Sequence, residues 1–164
     1  MFDELVRRYQ DRVYGMAARF VGQPSDAEDI AQEVFLKAFR GLEGFKGDAK
    51  FSTWLYRITF NLCTDWLRRT RRPGRRTTSL SEGLDVQDSA PGLGEDVLAA
   101  ERRKEVRAAL EGLPERYRTV VTLLYYNKLS YEQIGTILEL PPKTVETRLY
   151  RARRMLREKL GESE

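Results

Sequence analysis

Residues 130–156, SYEQIGTILELPPKTVETRLYRARRML, determine how the carboxyl-terminal part of the chain folds. Ser130 precedes an apolar helical pattern, and Gln133 three residues later completes the capping-box signature of a helix start. A break at residues 139–142 follows, and Pro142 suits the first turn of the next helix. That helix carries an apolar stripe with helical spacing: Val145, Leu149, Ala152, Leu156 and Leu160. Two short helices joined by a tight turn, the second one basic, predict a helix-turn-helix.

The outward face of this second helix carries side chains suited to reading a DNA duplex. Hydroxyl and guanidinium groups hydrogen-bond base edges, and arginines contact phosphates. We expect base contacts near the amino-terminal end and phosphate contacts farther along: Lys143, Thr144, Thr147 and Arg148, then Arg151, Arg153 and Arg154. The alternative is a solvated basic helix in an ordinary bundle. Gly135 is expected where the two helices cross closely, and Glu139 occupies a turn position where glycine is frequent.

Composition excludes several kinds of chemistry. The 164 residues include no histidine and one cysteine, with 29 basic and 25 acidic side chains and a net charge of +4. Histidine-based catalysis, histidine metal sites and an internal disulfide are therefore excluded. No signal peptide or membrane span is visible, so we expect a soluble intracellular protein that inserts in no membrane. We also expect no cofactor. Cys63 is expected to be a buried small apolar side chain rather than a redox sensor.

The remaining apolar spacing is also helical, which predicts an all-α fold. Helices are expected over about residues 2–20, up to about residue 40 after a cap at Ser25 or Asp26, and over about residues 52–69. Residues 73–94 have the Gly, Pro and Ser content of a flexible linker. We therefore predict two small helical modules, residues 1–72 and 95–164, joined by that linker. The first module ends in an arginine cluster: Arg68, Arg69, Arg71, Arg72, Arg75 and Arg76.

Two motifs in the first module allow several interpretations. Residues 26–33, DAEDIAQE, place acids on the first turns of a helix, where they complement its dipole, and Asp29, Glu33 and Lys37 have the spacing of surface ion pairs. A metal site and a protein-docking surface are the alternatives. Residues 51–61, FSTWLYRITFN, mix aromatic, hydroxyl and basic side chains, as single-stranded DNA binding requires. Three of their helix's apolar residues are expected in the core: Trp54, Ile58 and Trp66.

In their order along the chain, these motifs resemble the bacterial extracytoplasmic-function, or group IV, sigma factors of the sigma-70 family. The resemblance rests on four segments: residues 26–39 (DAEDIAQEVFLKAF), 51–61 (FSTWLYRITFN), 113–119 (LPERYRT) and 130–156. It implies that residues 1–72 are sigma region 2, with the linker at 73–94, and residues 95–164 are sigma region 4. The linker would then follow the RNA path.

The resemblance also implies partners and roles for individual residues. Asp29, Gln32 and Glu33 would bind the beta-prime coiled coil of core RNA polymerase, and region 4 would meet the beta flap. At the −10 element, Asn61 would capture a flipped base beside Phe45. The other residues implied in DNA binding are Arg57, Arg68 and Arg69 at −10, and Lys143, Thr144, Thr147, Arg148 and Arg151 at −35. Because no autoinhibitory segment is expected before region 2, we expect an anti-sigma factor to regulate the protein.

These inferences predict a transcription initiation factor without catalytic activity. One rival is a helix-turn-helix regulator that binds operator DNA as a dimer, which gives residues 51–61 no role. The other is a nucleic-acid enzyme that uses the carboxylates of residues 26–33 with a metal ion.

Overall fold

The computed structural model of the protein describes residues 2–70 and 97–161. All regular secondary structure in these two ranges is helical, as the apolar spacing predicts. The proposed linker, residues 73–94, lies outside the described residues, as do Arg71, Arg72, Arg75 and Arg76. The chain divides into two compact units.

The amino-terminal unit is a three-helix bundle. Its helices are α1 (Phe2–Val21), α2 (Pro24–Gly41) and α3 (Phe51–Thr70), and a 3-10 turn (Leu42–Gly44) follows α2. Each helix packs against the other two. Small side chains at the centre allow this close packing, because Ala17, Ala27 and Ala38 are fully buried. The predicted helices are confirmed to within about two residues at their ends.

The start of α2 differs from the prediction. Neither Ser25 nor Asp26 caps it: the N-cap residue is Gln23, which makes no side-chain capping bond, and Pro24 occupies the first turn. The Gln23 carbonyl accepts the first helical bond, from the amide of Ala27 at 2.9 Å. Proline has its φ angle fixed near the helical value and has no N–H to satisfy, so it begins the helix before the serine.

Helix α3 buries small hydroxyl and thiol side chains as well as larger apolar ones. Thr53, Thr59 and Cys63 are almost completely buried, and the Thr59 hydroxyl donates to the Leu55 carbonyl at 2.9 Å. Burial raises the pKa of Cys63 to about 12, which agrees with its expected role as a small apolar side chain. Trp54, Ile58 and Trp66 are half-buried and pack on the edge of the core rather than inside it.

The carboxyl-terminal unit is built around its longest helix. Its elements are α4 (Val97–Glu111), α5 (Glu115–Val121), a π-helical turn (Thr122–Tyr126), α6 (Tyr131–Leu138) and α7 (Pro142–Leu160). Helix α7 packs against α4 and α5. Of its predicted stripe, Val145, Leu149 and Ala152 are fully buried, and Leu156 and Leu160 are half-buried.

The helix-turn-helix forms where it was predicted. The capping box is present, because the Gln133 amide donates to the Ser130 hydroxyl at 3.1 Å and the Ser130 amide donates to the Gln133 side chain at 2.9 Å. Glu139 adopts the left-handed conformation at the end of α6, with φ of 59°. Gly135 was predicted to lie where the two helices cross closely. In the structure its nearest neighbour is instead the carbonyl oxygen of Leu140, in the turn between the helices.

Candidate DNA and protein interfaces

The predicted polymerase-binding residues occupy two sides of α2. Asp29 and Gln32 are exposed and Glu33 is half-buried. Asp29 and Glu33 are four residues apart and line a groove of about 680 Å³ between α2 and α3. Gln32 lines a different groove, of about 480 Å³, between α1 and α2. The structure therefore places the three side chains along a ridge with one groove on each side.

The second of these grooves is apolar, and sequence reasoning missed it as a site. Leu36 and Phe39 line it and remain 49% and 61% exposed. Phe39 also contacts Phe2 of α1 edge to face, with ring centroids 5.2 Å apart. The available signal was an apolar face wider than the core needs, because the buried stripe of α2 is supplied without Leu36 and Phe39, by Ala27, Ile30, Val34 and Ala38. Exposed apolar side chains of this size are typical of a protein-binding surface.

The groove between α2 and α3 unites two predicted sets of residues. Asp29 and Glu33 line it from α2, while Arg68 and Arg69, which were predicted to bind −10 DNA, line it from α3. Arg68 also pairs with Asp65 at 3.3 Å, but both side chains are more than half exposed. An exposed pair of this kind contributes little to stability, so these arginines remain accessible to phosphates.

Three of the predicted −10 residues on α3, Arg57, Asn61 and Arg68, share one helix face with Trp54, which was expected in the core. These four residues follow one another at intervals of three, four and seven residues, whereas Arg69 is rotated by about 100° from Arg68. Side-chain exposure increases along this stripe: Trp54 and Arg57 are half-buried, and Asn61 and Arg68 are exposed. The stripe begins at an aromatic group and ends at cationic groups. Single-stranded nucleic acid is bound by this combination of stacking surfaces and charges.

Phe45 belongs to an aromatic cluster at the start of this stripe. Its ring centroid lies 4.9 Å from that of Trp54 and 5.9 Å from that of Phe51, and Tyr9 packs on Phe51 at 5.7 Å. Asn61 lies seven residues beyond Trp54, about 10 Å farther along α3. Asn61 therefore lies about two helical turns beyond Trp54, the residue that Phe45 contacts.

The predicted −35 residues lie in the first three turns of α7. Lys143, Thr147 and Arg151 are exposed, whereas Thr144 and Arg148 are half-buried at the flank of the helix. The Thr147 hydroxyl donates to the Lys143 carbonyl at 3.1 Å, which leaves its oxygen lone pairs free to accept from a base edge. Tyr150, which sequence reasoning did not select, is 60% exposed between Thr147 and Arg151. The sequence signal for Tyr150 was its position outside the apolar stripe of this helix.

Two arginines of α7 lie beside tyrosine side chains. Hydrogen bonds from Arg116 and Arg151 lower the pKa of Tyr117 in α5, so Arg151 lies beside that hydroxyl. Arg153 is half-buried, and its Nε donates to the Tyr125 hydroxyl at 2.9 Å. Arg153 was predicted as a phosphate contact, and the structure directs its guanidinium toward protein instead. Arg154, next to it, is exposed.

Among residues 2–70 and 97–161, no three Cys, Asp or Glu side chains lie together as a metal site would require. None of the helices in these ranges has the length and apolar character needed to cross a bilayer.

The comparisons with known proteins agree with this geometry. Residues 5–73 match the family model of sigma-70 region 2, and residues 103–156 match that of sigma-70 region 4. The fold and its helix-turn-helix thus define a sigma-70-type protein. The chain is 39% identical to the ECF RNA polymerase sigma factor SigW of Bacillus subtilis, over 97% of this chain and 88% of SigW. It belongs to the ECF RNA polymerase sigma factors, and it is an alternative sigma factor that directs promoter-specific transcription initiation.

Two solved structures are similar in fold. CnrH, solved in complex with the cytosolic domain of CnrY, is 28% identical with a TM-score of 0.69, over 98% of this chain and 87% of that chain. The sigma factor RpoE of Bartonella quintana, solved in complex with the anti-sigma factor NepR, is 22% identical with a TM-score of 0.71, over 99% and 98% of the two chains.

Proposed function

We propose that α7 reads the −35 element in the major groove. The observation that carries this proposal is the division of α7 into two faces: Val145 and Leu149 are fully buried, while Lys143, Thr147 and Arg151 are exposed on the other side. The exposed face offers a hydroxyl and cationic donors at the amino-terminal end of the second helix of a helix-turn-helix, the end that contacts base edges in such motifs. Lys143, Thr144, Thr147 and Arg148 then contact base edges, and Arg151 contacts the backbone.

We propose that α3 holds the opened −10 strand. Its stripe from the Phe45–Trp54 stack through Arg57 and Asn61 to Arg68 supplies stacking surface first and charge afterwards. Arg69 adds a second cation at the end of the stripe. Because unstacking a base costs a few kcal/mol, a site of this kind has to offset that cost by stacking and phosphate contacts. Phe45 contacts Trp54, which lies two turns before Asn61, and this spacing supports Asn61 and Phe45 acting on different nucleotides or on opposite ends of one.

We propose that the α2 ridge binds the beta-prime coiled coil of core RNA polymerase. Asp29 and Glu33 supply charge on one side of the ridge, and Gln32 lies beside exposed Leu36 and Phe39 on the other. On such a surface the charged side chains orient the approaching partner, and the apolar side chains supply area that is buried on binding. The carboxyl-terminal unit is proposed to meet the beta flap.

We propose three further features of this function. The domains are sigma region 2 at residues 1–72, a linker at 73–94 and sigma region 4 at 95–164. An anti-sigma factor controls the protein in the cytoplasm, where its polymerase acts. The complexes of CnrH with CnrY and of RpoE with NepR support such a partner for this fold. The protein acts without catalytic activity of its own.

Run-off transcription tests this function directly. Purified core polymerase, with and without the protein, is supplied with pooled genomic promoter fragments. We expect transcripts that require the protein and whose start sites share two spaced elements. Salt-sensitive duplex binding by the protein alone, without any new transcript, would instead favour the dimeric regulator.

Arg148→Ala then tests the −35 assignment on a promoter recovered in this way. We expect discrimination between intact and substituted −35 elements to fall by about 1–3 kcal/mol, the usual contribution of a good base contact. Arg157→Ala, in the last turn of the same helix, removes an equal charge and should leave discrimination unchanged. An equal loss on both promoters would identify Arg148 as a phosphate contact.

A further inference from the structure

Arg153 occupies a different side of α7 from the arginines proposed to face DNA. Successive residues of a helix are rotated by about 100°, so Arg153 is about 200° from Arg151 and only about 40° from the buried Leu149. In agreement with this geometry, Arg153 is half-buried, while Arg151 and Arg154 are exposed. Arg153 thus flanks the apolar stripe that seats α7 on its unit.

Its partner is 28 residues away in sequence. Arg153 Nε donates to the Tyr125 hydroxyl at 2.9 Å, and its guanidinium carbon lies 5.8 Å from the centre of the Tyr125 ring. The hydroxyl of Tyr125 is the main factor that raises the pKa of Arg153, and the hydroxyl of Tyr131 acts in the same direction. Tyr131 is the first residue of α6. One guanidinium therefore meets groups from two neighbouring segments.

The π-helical turn explains how Tyr125 reaches α7. In this turn the Asn127 amide donates to the Thr122 carbonyl at 3.3 Å, a bond that spans five residues instead of four. The wider turn changes the direction of the side chains after Val121, and π-helical turns are found at functional sites more often than chance. Tyr125 remains 49% exposed, so its position is not explained by burial.

We propose that Tyr125 is a positioning residue that, through Arg153, fixes the rotation of α7 about its own axis and so directs Thr147 and Arg148 toward the −35 bases. An apolar stripe alone tolerates small rotations, because hydrophobic contact has no direction. A hydrogen bond at the flank of the stripe is directional and restricts this freedom, in addition to any restraint from Arg151 beside the Tyr117 hydroxyl. The inference rests on the proposed reading of the −35 element by α7.

The test measures discrimination by the holoenzyme formed with core polymerase. The probes are a promoter recovered by run-off transcription and the same promoter with a substituted −35 element, each measured at several salt concentrations. Tyr125→Phe removes only the hydroxyl, and Arg153→Gln removes the charge. We expect each variant to reduce discrimination by about 3- to 10-fold, the effect of one hydrogen bond. The double variant should be no worse than Arg153→Gln, and the salt slope should be unchanged.

Controls separate positioning from other roles. Arg157→Gln removes a matched charge from the same helix and should preserve discrimination. Arg153→Lys, which keeps a donor, should recover part of the loss. The proposal is overturned if Arg153→Gln weakens binding to both promoters equally and lowers the salt dependence of binding by about one unit of slope, as loss of a phosphate contact would. It is also overturned if Tyr125→Phe and Arg153→Gln weaken promoter binding only as much as the increase in the unfolded fraction of each variant accounts for.

A separate readout distinguishes failure of this inference from failure of the proposed function. If Arg148→Ala leaves −35 discrimination intact, the proposed function fails. Amide hydrogen exchange of the full-length chain then tests the positioning contact itself. Tyr125→Phe should accelerate exchange in residues 122–131 and in α7 relative to Arg157→Gln. Unchanged exchange in these segments would overturn the role of Tyr125.

Discussion

A Cβ atom on Gly135 would lie 2.6 Å from the carbonyl oxygen of Leu140. The same Gly135 accepts a hydrogen bond from the Leu140 amide at 2.9 Å, so the turn between α6 and α7 closes directly onto this residue. The neighbouring atom belongs to the backbone and cannot move aside as a flexible side chain would. The absence of a side chain at residue 135 is therefore a requirement of the helix-turn-helix.

Gly135→Ala should destabilise the protein by about 1–3 kcal/mol, the usual cost of forcing an extra methyl group into a packed site. Urea unfolding followed by circular dichroism measures the change. Gly44→Ala is the control, because a Cβ at Gly44 would meet nothing within 4 Å. Equal stability of the two variants would show that the turn opens without cost.

Glu139→Gly should stabilise the protein by about 0.5–1 kcal/mol. Glu139 has a φ of 59°, a conformation that costs a side-chain-bearing residue about 1–2 kcal/mol, part of which the flexibility of glycine in the unfolded chain offsets. Glu139→Ala is the control: it removes the same carboxylate but keeps a Cβ, so it should give no gain. A gain with alanine would assign the effect to charge instead of backbone strain.

Reversing the charges of Asp29 and Glu33 to lysine should reduce affinity for core polymerase by at least about tenfold, since like charges at an interface cost several kcal/mol. Titration of labelled protein with core polymerase measures the affinity. Glu28→Lys is the control for each single reversal, Asp29→Lys or Glu33→Lys, because Glu28 is exposed in the same turns of α2 and contributes similarly to the helix dipole. Unchanged affinity together with lower stability would favour a purely structural role for Asp29 and Glu33.

Asn61→Ala should impair promoter opening and spare assembly with polymerase. Asn61 is exposed on α3, so its loss removes a proposed DNA contact and no core packing. Permanganate reactivity of −10 thymines measures opening, and gel filtration with core polymerase measures assembly. A defect in assembly would refute the −10 assignment.

Alkaline pH should reveal the buried Cys63 thiol. Its pKa of about 12 in the folded protein exceeds the ordinary value of 9.0, so the unfolded chain releases this proton first. The contribution of the thiol is fully present below pH 9 and is lost between pH 9 and 12, with a slope approaching about 1.4 kcal/mol per pH unit.

Comparison of the wild-type protein with Cys63→Ala isolates this contribution, because lysine and tyrosine titrate in both proteins. The stability difference between the two should shrink as the pH rises above 9. Thiol labelling should be slow in the native protein and fast in urea. Rapid labelling of the native protein near pH 8 would contradict the buried environment.

The helical segments were predictable because their causes are local. The spacing of Val145, Leu149 and Ala152, the capping box of Ser130 and Gln133, and the break at residues 139–142 are each read within a few residues. The exception at Pro24 is also local: a proline starts the helix before the serine that follows it. The family was predictable because several motifs occur in a fixed order.

The grouping of side chains was decided by tertiary packing. Sequence alone determined an all-α chain with a helix-turn-helix, a family, and a set of candidate residues on each helix. Only the packing of α2 on α3 placed Asp29 and Glu33 in one groove with Arg68 and Arg69, and separated them from Gln32. Only the tertiary fold brought Tyr125, which lies in the π-helical turn, to Arg153, 28 residues away in sequence. Helix periodicity determines which side chains share a face, but contacts between faces depend on how the helices pack in three dimensions.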